Sequence, residues 1–391
     1  MRVVIYSRGF PNPVEEHRSA FVAEILRFLP SDIAVTVVAP VPYGLSARAK
    51  KRSVRVPKLR QATLGERTVD VFHPRFPLLP RNWLRPVLAW LEAVFTFSLV
   101  RKLKLNPGID LIHVNWGYPD GCAVAWLSRW LQIPYVLTEH QGSIGKLLQR
   151  GYYNRLLGSA YRRGKKLILV SESLLEPLKL VQGGIPQPVV IPNGIDTQKF
   201  TLAKKSPHLG RLVYMGNLIP NKGVAHLIQA LEILRGQGHS FTLDIYGGGS
   251  QRHGLEALAS RLQLSGFVGF KGTVAPERIP QLLADYDALV LPTLVESFGM
   301  VLIEALAAGL PVLSTYSGGP EHIVAPEVGT LVQPGSAAEL AAGILGLQQR
   351  WEDFDPEQIR DYCRQRFDLR RLCPLLAQVY REAANSAGAR F

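Results

Sequence analysis

Two stretches far apart in the chain begin alike, and that repetition limits the folds open to it. RVVIYSRG (2–9) is a short β-rich run ending in a glycine loop; a helical pattern follows over 17–29, then a second β-rich run, IAVTVVAP (33–40). The same order returns at RLVYMGN (211–217), at GVAHLIQALEIL (223–234) with apolar residues at helical spacing, and at FTLDIYGGG (241–249). Continuous apolar strands alternating with amphipathic helices belong to parallel sheets covered on both faces. The repeated unit predicts an α/β chain with two Rossmann-like, doubly wound parallel-sheet lobes and a cleft between them. Further strands are predicted over 110–116, 134–140, 166–173, 288–293 and 311–318. Pro188, Pro192, Asn193 and Gly194 punctuate the crossing from one lobe to the other.

A length of 391 residues suits two domains, and 47% hydrophobic residues can build two cores, which excludes global disorder. Cys122, Cys363 and Cys373 are too few and too scattered for a disulfide framework or a cysteine zinc site. The opening MRVVIYSRGF reads as a buried strand rather than a signal peptide. The longest apolar stretch, 87–100, is interrupted by Glu92 and is shorter than the roughly 20 residues that span a bilayer. These features predict a cytoplasmic protein, peripheral on the inner face of the membrane if it meets one.

The formal charge of +14 is unevenly placed. Residues 1–190 hold 27 Lys and Arg against 12 Asp and Glu, while residues 191–391 hold 18 against 19. Basic clusters fall over 48–60, 81–104 and 150–166, with Trp83, Trp90, Phe95 and Phe97 among them. This asymmetry suits an anionic surface such as lipid headgroups; a solubilising coat is the plainer alternative. No nucleic-acid recognition motif accompanies the charge, so nucleic acid is not predicted as a partner.

The most specific segment is LPTLVESFGMVLIEALAAGLPVLSTYSGGPEHI (291–323), in which Glu296 and Glu304 lie eight positions apart. With a helix from Phe298 onward, Glu304 falls about two turns after Glu296 on the same side. The first turn, 297–301, then offers unpaired backbone N–H groups to an anion. Here the sequence resembles the retaining, GT-B fold, nucleotide-sugar-dependent glycosyltransferases of family 4 (glycosyl transferases group 1). Four blocks carry the resemblance: VIPNGIDTQKF (190–200), MGNLIPNKGVAHLIQAL (215–231), IYGGGSQRHGLEALA (245–259) and the two-glutamate block. HVNWGYPDG (113–121) and VLTEHQGS (136–143) resemble the family's acceptor-lobe loops.

The resemblance implies an acceptor-binding lobe over 1–195, a nucleotide-sugar-binding lobe over 196–360, and a C-terminal helix over 361–391 returning to the first lobe. It gives Glu296 the hydroxyls of the transferred sugar and Glu304 the ribose hydroxyls; a carboxylate accepts from both hydroxyls of a diol. Backbone amides of Ser297, Phe298, Gly299, Met300 and Val301 would hold the sugar and the distal phosphate. Lys222 matches the family lysine at the diphosphate, whereas the family arginine is Asn217, following Gly216. Asn217 donates a hydrogen bond but brings no charge, so leaving-group stabilisation falls on Lys222 and the helix N-terminus, with Arg8 a candidate substitute. Gly247 and Gly249 would admit the nucleotide, Val274 lies in a turn resembling the base-contacting one, and Gly9 is the residue for close approach in the first lobe. His140 stands where the family places a histidine facing the donor sugar; His17, His113 and His322 have weaker claims.

No metal and no cofactor are predicted: Asp285-Tyr286-Asp287 and Asp353-Phe354-Asp355 lack the clustered carboxylates of a magnesium or manganese site. The implied reaction moves a sugar from a nucleoside diphosphate to a lipid-linked or saccharide hydroxyl with retention, in cell-surface polysaccharide or glycolipid synthesis. No carboxylate is placed as a glycosidase-like nucleophile, so the family's debated same-face substitution is the implied route. The alternatives are a nucleotide-sugar epimerase, a PLP-dependent phosphorylase on the same architecture, or a non-catalytic membrane scaffold.

Overall fold

Runs of branched and aromatic residues form the strands and are buried on both faces, as in Arg2–Tyr6, where Val3, Val4, Ile5 and Tyr6 are almost wholly excluded from solvent. The computed structural model describes residues 1–13, 19–44, 56–78, 87–142 and 144–388. His17 and parts of the 48–60 and 81–104 basic clusters, Trp83 included, lie outside them. By internal packing the chain forms two units, residues 1–192 with 372–391, and residues 193–371. The sequence reading had placed these divisions at 195 and 360; residues 361–371 go with the second unit instead.

Among the described residues, the first unit is built on eight strands in the order Val189–Val190, Lys166–Leu169, Tyr135–Glu139, Leu111–Asn115, Arg2–Tyr6, Ala34–Val38, Arg67–Phe72 and Leu59–Leu64. All neighbours are parallel except the last pair, a hairpin turning at Gly65, whose φ of 63° suits glycine. A separate parallel pair joins Val41–Gly44 to Arg75–Leu78. The helix expected over 17–29 is described as Ala20–Phe28. The C-terminal helix Leu369–Gly388 is tied to this sheet where the buried Tyr380 hydroxyl meets His113 Nδ1 at 2.6 Å.

The second unit has six strands, all parallel, ordered Val268–Gly272, Thr242–Tyr246, Arg211–Met215, Ala288–Leu291, Val312–Thr315 and Gly329–Val332. From Arg211–Met215 the chain adds strands outward on one side, then crosses back and adds the rest on the other. The strand order therefore reverses between Arg211–Met215 and Ala288–Leu291, the position where open α/β sheets present a crevice at their carboxyl ends. The first unit has a similar reversal between Arg2–Tyr6 and Leu111–Asn115.

Candidate active site

At the reversal in the second unit, the loops leaving Arg211–Met215 and Ala288–Leu291 carry Lys222 and Glu296. Lys222 Nζ donates to Glu296 Oε2 at 2.5 Å, with the two side chains 19% and 14% exposed. The sequence reading treated the two residues separately; the fold makes them a partly buried ion pair. Tyr214, at the end of its strand, is buried, and its hydroxyl donates to the Asn217 carbonyl at 3.0 Å. Burial and the nearby Glu296 charge raise its pKa, so the hydroxyl remains a donor that fixes the loop. Asn217 itself stands exposed at the loop tip.

Backbone approaches that only glycine permits set the shape of this ground. A Cβ on Gly223, whose φ is 67°, would lie 2.0 Å from the Pro292 carbonyl oxygen. One on Gly247 would lie 1.8 Å from Gly216 O, and one on Gly249 2.3 Å from Leu218 O. The loops also bond to one another, Leu218 N to Gly248 O at 2.9 Å and Gly247 N to Gly272 O at 2.8 Å. Gly216, Gly247 and Gly249 thus join three strand-end turns backbone to backbone, and Val274 follows in the third, half-buried. These glycines were expected to admit the nucleotide; their close partners in the fold are the neighbouring loops.

The Glu296 loop is clamped in the same way. Glu296 N donates to Ser317 O at 2.9 Å, Gly319 N donates to Glu296 O at 2.8 Å, and Glu321 accepts the Gly318 amide. A Cβ on Gly319 would meet the Phe298 backbone at 2.3 Å, which accounts for the second glycine of GGPE. The helix after this loop spans Met300–Ala307, so it starts two residues later than expected, behind Gly299 at φ 103°. Ser297 N turns to Glu296 Oε1 at 3.1 Å, and Phe298 is buried edge-on to Phe367. The amides of Met300 and Val301 meet no acceptor among the described residues, so the helix N-terminus is open to an anion.

Glu304 is the fifth residue of that helix, about one turn past its start, on the side of Met300. Its carboxylate has no hydrogen-bond partner among the described residues, and burial raises its pKa to about 7.

In the first unit, Gly9 follows Arg2–Tyr6 and lies under Trp116: a Cβ there would be 2.8 Å from the indole and 2.7 Å from Ser19 Oγ. His140, after Tyr135–Glu139, is 8% exposed, its ring centre 5.0 Å from that of Trp116 and 5.1 Å from that of Phe21. Nε2–H donates to Asn115 Oδ1 at 3.0 Å, and Nδ1 has no partner among the described residues. Burial lowers the His140 pKa to about 3, so the ring is neutral with Nδ1 as acceptor.

Sequence reasoning passed over the residue that sets this geometry. Glu139, wholly buried, accepts from His140 N at 3.0 Å, Gln141 N at 2.9 Å, Gly117 N at 3.1 Å and the Tyr161 hydroxyl at 2.6 Å. The available signal was a charged residue inside an apolar run directly before the candidate histidine.

Other candidates have different work. Arg8 is committed to Asp120, with Nε to Oδ1 at 2.8 Å, so its charge is already countered. His113 bridges Tyr380 and Thr138. Asp287 accepts from Ser206 Oγ, Gly210 N and Arg211 N, which fixes the start of a strand. Among the described residues, no group of three or more His, Cys, Asp or Glu is placed to hold a metal ion.

Comparison with known proteins matches two family profiles end to end. Residues 19–199 match "Glycosyltransferase Family 4" and residues 198–365 match "Glycosyl transferases group 1". TuaC of Bacillus subtilis (strain 168), provisionally named a teichuronic acid biosynthesis glycosyltransferase, is 25% identical over 99% of this chain and 100% of its own. Glycogen synthase of Mycobacterium tuberculosis (strain ATCC 25618 / H37Rv) is 30% identical over 69% of this chain and 68% of its own. Among solved structures, Anabaena HepE in complex with UDP-glucose shares the fold at a TM-score of 0.68, with 22% identity and all of both chains covered.

Proposed function

The chain belongs to the family 4 glycosyltransferases of GT-B fold, and from that premise we propose that it transfers a sugar from a nucleoside-diphosphate-sugar to a hydroxyl acceptor with retention at the anomeric carbon. The observation that carries this reading is the Lys222–Glu296 pair at the strand-order reversal of the second unit, beside the open N-terminus of Met300–Ala307. The UDP-glucose bound by HepE and the polysaccharide products named for TuaC and glycogen synthase support the donor class and the acceptor class.

On this reading, departure of a nucleoside diphosphate is the main electrostatic demand, met by one cation and fixed backbone dipoles. Lys222 is that cation, with no arginine at Asn217 to share the work. Its present partner, Glu296, takes hydroxyls of the transferred sugar once Lys222 engages the diphosphate. The exchange leaves both groups with hydrogen-bond partners before and after the donor arrives. Glu304, with no partner among the described residues, accepts from the ribose diol. The amides of Met300 and Val301 meet phosphate, and Gly216, Gly247, Gly249 and Val274 shape the ground for the nucleoside. In the first unit, the neutral His140 ring offers Nδ1 to a hydroxyl, held by Glu139 and Asn115. The departing phosphate takes the acceptor's proton on the same face as attack, which gives retention without a carboxylate nucleophile. The acceptor is a lipid-linked or saccharide hydroxyl, and no metal or cofactor takes part.

The test is a panel of nucleotide sugars incubated with saccharide and lipid-linked acceptors, with the product anomer assigned by NMR. Transfer with retention that survives EDTA and disappears in Glu296→Ala, while nucleoside diphosphate binding remains, is the expected result. An inverted product, a manganese requirement or undiminished turnover in Glu296→Ala contradicts it.

A further inference from the structure

We propose that the helix layer made by Leu88–Leu105, Cys122–Leu131 and Gly151–Arg163 in the first unit is a docking surface for an anionic lipid bilayer. The three helices pack side by side in chain order. On the first of them, Trp90 and Val94 are one turn apart and are 48% and 39% exposed. Phe97 continues their side and meets Trp130 of the second helix edge-on, with ring centres 5.7 Å apart; Trp130 also touches Trp126 at 5.9 Å. The result is an aromatic ridge across two helices, with Leu105 75% exposed at its far end. Indole rings favour the headgroup level of a membrane, where the apolar body and the N–H are both accommodated.

Charge selects the occupant. Residues 88–166 hold eleven Lys and Arg and four acids. Of those acids, Glu92, Asp120 and Glu139 are buried, and Asp110 accepts the Arg2 amide at the start of its strand. None of the three helices therefore presents an acidic side chain to solvent. Arg101, Lys102, Arg129, Arg155 and Arg163 are exposed, and none has an acidic partner among the described residues. Unpaired cations of one sign around an aromatic ridge complement a negatively charged bilayer. No helix among the described residues is long and apolar enough to cross a membrane, and the contact proposed is in the headgroup plane. The proposal does not depend on the transfer chemistry and can fail separately from it.

The experiment is flotation of the full chain with phosphatidylcholine vesicles, with and without about 30 mol% phosphatidylglycerol. The wild type should float with the anionic vesicles in about 0.1 M NaCl, detach in about 0.5 M, and ignore phosphatidylcholine alone. Arg101→Glu with Lys102→Glu should weaken partitioning about tenfold or more. Trp90→Ser with Val94→Ser should weaken it about fivefold. Both variants should keep the wild-type melting temperature and nucleoside diphosphate binding, which shows that the fold is intact. Absence of flotation, flotation indifferent to salt, or undiminished flotation of both variants overturns the proposal. So does a wild-type dimer in sedimentation velocity that Trp90→Ser with Val94→Ser converts to monomer, because the ridge is then a self-association face.

Discussion

Lys222 and Glu296 lie 74 positions apart and owe their contact to two adjacent strands that end together. A carboxylate 2.5 Å from an ammonium holds it in place but also competes with any phosphate for it. Lys222→Ala should therefore weaken nucleoside diphosphate binding about tenfold or more, while Glu296→Gln should leave that affinity undiminished and abolish transfer. Calorimetric titration separates the two. Glu304 adds a pH dependence. With its pKa near 7, it is an acceptor-only carboxylate at pH 8 and largely protonated at pH 6. Nucleoside affinity should fall between pH 8 and pH 6 in the wild type and stay flat in Glu304→Gln; equal slopes remove the ribose role. Both glutamates and Lys222 could be read from sequence because their spacing within local blocks is fixed. Glu139 could not, since Gly117 and Tyr161 lie in distant turns and helices, and Tyr214 could not, since no short motif records a hydroxyl bonded to the Asn217 carbonyl.

At the scale of elements, the site rests on turns whose shape requires the absence of side chains. Gly223→Ala places a methyl against the Pro292 carbonyl at a positive φ, and should cost about 3 kcal/mol of unfolding free energy in urea melts. A loss under about 0.5 kcal/mol shows that the loop yields, and that the Lys222 position is not fixed by it. Helix Leu88–Leu105 carries a different liability. Glu92 lies within it, wholly buried, with neither oxygen hydrogen-bonded among the described residues and Arg8 3.6 Å away. Burial, with the Asp120 charge, raises its pKa from an ordinary 4.5 to about 8. The folded state then binds a proton that the unfolded state gives up. The group's contribution to stability declines as pH rises from about 4.5 to about 8 and is level above that. Glu92→Gln should raise the melting temperature at pH 8.5 and change it little at pH 5; the reverse order contradicts a buried neutral carboxyl. The start of Met300–Ala307 was misjudged by two residues because Gly299 takes a left-handed conformation that interrupts a run otherwise favourable to helix. The 59–72 hairpin escaped notice for a related reason: its outer strand is half exposed and lacks the continuous apolar run that marked its neighbours.

Over the whole molecule, the two sheets were legible because parallel strands are buried on both faces and declare themselves as unbroken apolar segments. The strand order, which decides where the site lies, was not visible in periodicity and is given by the structure. The split of the chain shows the same limit. Pro192 and Asn193 were marked by turn chemistry, whereas the return at Leu372 falls inside a continuous helix that no local signal interrupts. Charge asymmetry could be read in full from composition, but its meaning depends on which side chains the fold leaves unpaired. The central claim is that the strand-order reversal of the second unit is a nucleoside diphosphate site held by Lys222. Isothermal titration of the full chain with nucleoside diphosphates of each base tests it most directly. At least one should bind, without added metal, and should bind about tenfold or more weakly to Lys222→Ala; binding of none, or equal binding to both proteins, rules out such a site.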